Sequence, residues 1–391
     1  LSEKEDKFKF LRDALDERRA SHRLRELKPL AFEFGGVNIK FNGQSYINFS
    51  SNDYLGLRHH PMLIQRAKEY ADKYGVGSGA SRLVTGTLTI HSELEKKLAD
   101  VFGTEAALLF NSGYQANTTV LPALADRNSL ILADKKVHNS LIQGALLSNA
   151  TFKRFKHNKL DHLEKLLQEA SESSYNRIWI VTETVFSMDG DRSDLESITQ
   201  LAEQYNALLY IDDAHGIGVI GKNGLGLSDE HHGIDIRLGA FGKAFGGSGA
   251  FVACSEEMKQ YLINYAAGFI YSTAMAPTVI GALHAALELI PSMNKERAEL
   301  HDYIEYFRYE VEKLGWDTGA SNSAIIPVIV GEEEETLSLS NFLLENGLWV
   351  SAIRPPTVEK GASRIRITLT TKHTKAHIDQ LLKALRAWKK R

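Results

Sequence analysis

Apolar positions in residues 2–24 recur at helical spacing, with Phe8, Leu11 and Leu15 on one face of a predicted helix. Two short strand-like pieces follow, at 37–41 and 46–49. From about residue 60 the pattern changes, and amphipathic helical stretches alternate with short apolar runs. The runs fall at 106–110, 130–133, 178–182, 207–211, 236–240 and 249–253. They are continuous rather than alternating, as strands are when both faces of their sheet are covered. The pattern predicts an α/β fold with a large, mostly parallel sheet wrapped by helices. In such sheets ligands bind outside the carboxyl ends of the strands. Glu183, Asp212 and Lys243 all follow predicted strand ends, which puts them on one rim.

Past residue 285 the character shifts again. Two long helices, at roughly 276–290 and 294–314, lead into a run at 324–330 and a helix at 336–346. Runs at 348–353 and 364–368 and a basic C-terminal helix complete a smaller α+β unit. The expected organisation is an N-terminal helix with short strands over 1–50, a large α/β domain over 51–285 and a C-terminal α+β domain over 286–391. The acidic run Glu332–Glu335 is expected to be a solvated loop.

Composition narrows the function classes. The 391 residues are 43% hydrophobic and 24% charged, an ordinary globular balance. Net charge is −3 with no basic stripe, so no nucleic-acid partner is expected. No run of 18 apolar residues occurs, so no membrane span is expected. Leu1-Ser-Glu-Lys-Glu-Asp6 is too charged for a signal peptide, and Cys254 is the single cysteine. Both fit a cytoplasmic protein without an intrachain disulfide. Cys254 lies in a strand-like run and is expected to be a buried small side chain.

The candidate chemistry centres on two segments, Asp212-Asp-Ala-His-Gly216 and Gly239-Ala-Phe-Gly-Lys-Ala-Phe-Gly246. An amine on a glycine-flanked turn, here Lys243, is reachable by a small aldehyde. A strand-end carboxylate, here Asp212, can face a heterocyclic nitrogen, and His215 arrives with it. Pyridoxal phosphate needs both the amine and the carboxylate. Taken alone, Lys243 also reads as a surface lysine and Asp212 as a strand-end cap.

Asn111-Ser-Gly-Tyr114 follows a strand and opens a helix, so the Gly113 and Tyr114 amides form a natural phosphate site. Gly75-Val-Gly-Ser-Gly-Ala-Ser81 follows a charged helix, not a strand. It therefore lacks the dinucleotide-binding context and reads as a loop near a bound anion or acyl group. His138 begins a helix close enough to lie over a planar ring at the same site. Glu183 and Ser187 follow a strand, and Ser187 can donate to an anion.

No G-x-S-x-G elbow occurs, and the pairs His59-His60 and His231-His232 lack zinc spacing. In the C-terminal unit Arg364 and Arg366 face one side of a strand. Their guanidinium forks suit carboxylate binding, or else line an exposed strand face.

With these segments in view, the chain resembles the α-oxoamine synthases, a branch of the fold-type I pyridoxal phosphate enzymes. The resemblance runs through Asn48-Phe-Ser-Ser-Asn-Asp-Tyr-Leu-Gly56, Gly77-Ser-Gly-Ala-Ser81, Val185-Phe-Ser-Met-Asp-Gly-Asp191, the two segments above, Ile270-Tyr-Ser-Thr273 and Ile353-Arg-Pro-Pro-Thr-Val358. The last stretch is similar to the branch that joins L-alanine to a pimeloyl thioester, of coenzyme A or a carrier protein, in biotin synthesis. Neighbouring activities are another α-oxoamine synthase such as glycine C-acetyltransferase, an aminotransferase, or a catalytically silent binding subunit.

The resemblance implies a role for each matching residue. Lys243 holds pyridoxal phosphate as a Schiff base, Asp212 pairs with the ring nitrogen, His215 bonds the ring oxygen and His138 stacks on the ring and touches substrate. Gly113, Tyr114 and Ser187 seat the cofactor. Arg366 binds the amino-acid carboxylate, and Arg25 and Thr357 contact substrate. Asn52 and Glu183 lie at active-site positions. Ser272 and Thr273 reach the phosphate of a neighbouring subunit, which implies a homodimer. One position departs from the family: a phosphate-binding threonine three residues before the lysine is replaced by Ala240.

Overall fold

The computed structural model describes residues 6–21, 23–33 and 35–391. Among the described residues seven strands form the central sheet. They are β1 (Ala106–Phe110), β2 (Ser129–Asp134), β3 (Thr151–Phe155), β4 (Arg177–Glu183), β5 (Leu208–Asp212), β6 (Ile236–Ala240) and β7 (Ala250–Cys254). Their spatial order is β1-β7-β6-β5-β4-β2-β3. Strands β2 to β6 pair in parallel, and β7 runs antiparallel to both β6 and β1. Every residue of β1, β2 and β7 is buried. Helices Gly113–Leu124 and Asn139–Leu147 cover one face. Leu160–Ser171 and Leu195–Gln204 cover the other beneath β2, β4 and β5. The fold is therefore the α/β class expected.

Strand β3 is the one the apolar pattern did not signal. Its Lys153 and Arg154 are exposed, because it lies at the sheet edge. Charges there discourage pairing with a further strand.

A hairpin of Asn38–Phe41 and Gln44–Asn48 turns through Asn42-Gly43, both with positive φ (49° and 80°). That is the backbone a two-residue hairpin turn requires, and Asn-Gly supplies it with little strain. Gln44–Asn48 then pairs in parallel with Leu348–Trp349, so the N-terminal strands complete a sheet of the C-terminal unit. A second small sheet joins Ile325–Gly331, Ser363–Thr368 and Ser351–Ile353, with Ser363–Thr368 in the middle. One apolar cluster runs from Phe49, Leu55 and Phe241 through Leu283 to Ile365 and Leu385. The large sheet and the C-terminal unit thus share a core.

Two expectations change. Glu333–Glu345 is a helix, and Glu333, Glu334 and Glu335 form its first turn rather than a loop. Carboxylates are favourable there, beside the partial positive charge of a helix N-terminus. The N-terminal helix spans Lys9–Ala20, and its apolar face is not covered by this chain: Phe8, Leu11 and Leu15 are exposed. Residues 2–5 and 22 of its expected span lie outside the described residues.

Candidate active site

The parallel register of β4 and β5 sets Glu183 directly beside Asp212 at the carboxyl end of the sheet. Asp212 is buried and held at both oxygens. Oδ1 accepts from the Ala214 amide at 3.0 Å, and Oδ2 accepts from Asn117 Nδ2 at 2.9 Å. Asn117 is itself fixed. Its amide also donates to Ser140 Oγ at 2.9 Å, and its carbonyl accepts from Tyr210 at 2.7 Å.

Lys243 lies three residues beyond β6. Its turn is closed by Gly246 N to Lys243 O (2.9 Å) and Gly247 N to Phe241 O (3.0 Å), over the buried side chains of Phe241, Ala244 and Phe245. Gly246 has φ +63°, and a Cβ there would meet the Arg58 backbone nitrogen at 2.4 Å. Only glycine fits that position. Burial lowers the Lys243 amine to about 8, against the opposing charges of Asp212 and Glu183. An amine so shifted is free base for a good part of the time near neutrality, as a nucleophile or base must be.

The two histidines are held neutral. Burial, with the charges of Lys243 and Arg366, pulls His215 well below its ordinary value. Burial also lowers His138, against the charge of Asp212. Tyr54 Oη lies 2.7 Å from His215 Nδ1, and burial pushes this phenol up to about 12, so it keeps its proton and donates it. When that phenol donates to Nδ1, the proton of the neutral imidazole sits on Nε2 and that edge is a donor. His138 caps helix Asn139–Leu147, with Nδ1 2.7 Å from Ser140 Oγ. Its backbone N–H donates to Glu183 Oε1. Burial and the Asp212 charge push the Glu183 carboxyl well above the carboxylate range.

The N-terminus of helix Gly113–Leu124 lies next to these groups. Ser112 caps helix Gly113–Leu124 by accepting from Gln115 N at 3.0 Å. The Gly113 and Tyr114 amides, in the first turn, have no partner within the helix. Ala240 Cβ lies below them, 3.7 Å from where a Cβ on Gly113 would be. Gln115 Nε2 donates to Ser272 Oγ at 2.7 Å and Asn111 Nδ2 to Thr273 O at 2.9 Å. Ser272 and Thr273 therefore sit beside the helix start of their own chain. The glycine-rich segment reaches the same place, with Ala274 N on Ala80 O (3.0 Å) and Ser78 Oγ on Met275 O (2.6 Å).

Arg366 is buried in Ser363–Thr368. Nε donates to Ser187 O at 2.7 Å, Nη1 to Thr368 Oγ1 at 2.9 Å and Nη2 to Asn52 Oδ1 at 3.1 Å. All three acceptors are neutral. Arg364, on the same face, is instead paired with Asp189 at 2.8 Å. The whole strand is buried, which removes the reading of an exposed charged face. Arg25 Nη2 lies 3.3 Å from Thr357 Oγ1 and ties the N-terminal segment to the 354–358 loop. Cys254 is buried as expected, and its thiol is pushed up to about 12 by burial.

An aminotransferase class I and II family model matches residues 44–385. The chain is 45% identical to an 8-amino-7-oxononanoate synthase of Gluconacetobacter diazotrophicus over 383 residues, covering 96% of each chain. The chain belongs to the 8-amino-7-oxononanoate synthase family. The solved structure of the Francisella tularensis family member has a TM-score of 0.77 at 30% identity, covering 88% of this chain and 98% of that one. A lysine-to-alanine variant of a serine palmitoyltransferase from S. paucimobilis, solved with a bound PLP–myriocin aldimine, superposes with a TM-score of 0.90 at 26% identity over 97% of each chain.

Within this synthase family member, the structure adds residues that the sequence did not single out. Asn117 and Tyr54 touch Asp212 and His215 directly. Asn117 had a signal: it is a buried amide one helical turn after Gly113, between the apolar Ala116 and Val120. Asp213 accepts from Thr184 and from Ser228 Oγ (2.6 Å), and burial holds it up at about 6.

Proposed function

We propose that the chain is a pyridoxal phosphate-dependent acyltransferase that condenses L-alanine with a pimeloyl thioester. A bond forms between the alanine α-carbon and the acyl carbonyl, the C–S bond breaks, and the alanine carboxylate leaves as carbon dioxide. The products are 8-amino-7-oxononanoate and free thiol, a step of biotin biosynthesis. The observation that carries this reading is Arg366. It is a buried guanidinium bonded to neutral oxygens, on a strand of the C-terminal unit that faces the site, where its charge bears on both Lys243 and His215.

The residues fit the cofactor. Pyridoxal phosphate, when bound, supplies an aldehyde that joins amines and a ring that accepts the electron pair left by a departing α-proton. Lys243 would be the amine that anchors it, and its free amine would be the base that takes the alanine α-proton. Asp212, clamped by Asn117 and the Ala214 amide, keeps the ring nitrogen protonated. His215 donates to the ring oxygen through the edge that Tyr54 leaves free. His138 would lie over the ring and touch substrate, and its neutral state suits an apolar stacking surface. Glu183 accepts from the His138 backbone N–H and so orders that loop.

The Gly113 and Tyr114 amides and Ser187 hold the phosphate. Ser272 and Thr273 stand beside the same helix start in their own chain, so the expected reach into a neighbouring subunit is not what these contacts support, and the homodimer rests on the family likeness. Arg366 takes the alanine carboxylate with Asn52 beside it, and Arg25 and Thr357 contact the acyl donor, a coenzyme A or carrier-protein thioester.

Borohydride reduction of the cofactor-loaded protein, followed by peptide mapping, tests the anchor. Label on Lys243 is expected, and label on another lysine instead would remove it from the role.

A further inference from the structure

The loop that carries His138 and the turn that carries Ser187 are joined by a side chain to which no role is given above. His157 follows the edge strand β3. Its Nδ1 lies 2.8 Å from Asp134 Oδ1, and its Nε2 lies 2.7 Å from Asp191 Oδ2. Both carboxylates are buried. A ring with each nitrogen against a carboxylate oxygen donates from both, which is the imidazolium form.

Each acid is wired into one functional loop. Asp134 ends β2, four residues before His138, and also accepts from Lys136 N (2.8 Å) and Asn158 N (2.9 Å). Asp191 lies four residues beyond Ser187. Its carboxylate accepts from Asn158 Nδ2 at 3.0 Å and its carbonyl from Phe186 N at 3.0 Å. The Phe186 ring meets His157 edge-on, at 4.5 Å and 88°.

We propose that His157 is a positioning residue: as a cation between Asp134 and Asp191 it sets the spacing of the His138 loop and the Ser187 turn. This rests on the reading of the site given above. Without the cation, two buried carboxylates are left unpaired on loops that then separate. Misplacing ring-contacting and phosphate-contacting groups by an ångström lowers turnover without removing any catalytic group.

The charged groups facing the ring are Asp134 from the end of β2 and Asp191 from the turn after β4. Farther out, Lys136 and Arg364 are both held by Asp189. Burial pulls the imidazole down, but the hydrogen bonds and charges of Asp134 and Asp191 outweigh it and raise it to about 9. The folded value lies above the unfolded one, about 6.5. The clamp's contribution to stability is therefore full below about pH 6.5 and is lost as pH rises through about 9.

The test combines imidazole ¹⁵N titration of the apo-protein with kinetics and cofactor retention of wild type, His157→Gln and the double variant His157→Gln/Asp191→Asn. The His157 ring is expected to titrate near 9. In His157→Gln, kcat at pH 7.5 should fall roughly ten- to a hundredfold, with the alanine KM changed by less than about threefold and the cofactor released faster. The double variant, which also removes one of the facing charges, should recover part of the loss. A ring that titrates near 6.5 overturns the proposal, whether or not the variants fold. So does a His157→Gln enzyme with wild-type kcat and cofactor retention. Absence of wild-type turnover with any thioester would instead sink the reading of the site; ring titration and cofactor retention still decide the clamp.

Discussion

Arg366→Ala removes a guanidinium that donates to Ser187 O, Thr368 Oγ1 and Asn52 Oδ1. None of these carries charge, so the cation has no counter-charge until a carboxylate arrives. Burial lowers the arginine from its usual value, which reflects the same shortage. A hydrogen bond to a charged group contributes about 1.5–3 kcal/mol. At about 1.4 kcal/mol per factor of ten, the alanine KM should rise roughly ten- to a hundredfold. Arg366→Lys should recover only part of this, because an ammonium lacks the planar fork. The assay varies alanine at saturating thioester, with cofactor affinity measured separately and expected to change little. An unchanged alanine KM together with failed saturation by the thioester would refute the reasoning and assign Arg366 to the acyl group.

Asp212→Asn should lower turnover by several orders of magnitude while the protein stays folded, because the ring nitrogen loses its anionic partner; near wild-type exchange of the alanine α-proton would release Asp212 from that role. Ala240→Thr places a hydroxyl below the Gly113 amide. It should tighten cofactor binding by about 1–2 kcal/mol, or roughly five- to thirtyfold, with little change in saturated turnover. Equal or weaker binding would mean that alanine fits a rearranged cradle. Lys243 titrates at about 8 in the folded protein, below its unfolded value of about 10.4. The rate at which the apo-protein takes up cofactor should therefore climb as pH rises through about 8, and the stability cost of burying Lys243, full below about pH 8, should be relieved as pH rises towards 10.4. A loading rate that is flat across pH 7–9 would contradict this.

Much of the large sheet is legible because its strands are buried on both faces. The runs at 106–110 and 236–240 coincide with β1 and β6, and four others fall within a residue of their strands. Strand β3 escapes because an edge strand, Thr-Phe-Lys-Arg-Phe, needs only one apolar face. The acidic first turn of Glu333–Glu345 escapes because a cluster of carboxylates looks alike in a loop and at a helix N-terminus.

At the site, strand ends and glycine turns mark Asp212, Lys243 and the Gly113 amides. Contacts that cross the fold leave no such mark. Tyr54 meets His215 across 161 positions and Asn52 meets Arg366 across 314, distances over which no local pattern operates. His157 is hidden for the same reason, since one of its acids comes from the end of β2 and the other from the turn after β4.

The central claim is tested most directly by mixing the cofactor-loaded protein with amino acid and thioester pairs and following thiol, carbon dioxide and product mass together. Alanine with a pimeloyl thioester should release thiol and carbon dioxide in equal amounts and yield 8-amino-7-oxononanoate. Turnover that favours glycine with an acetyl or succinyl thioester, or amino-group transfer with no thiol released, would contradict the account.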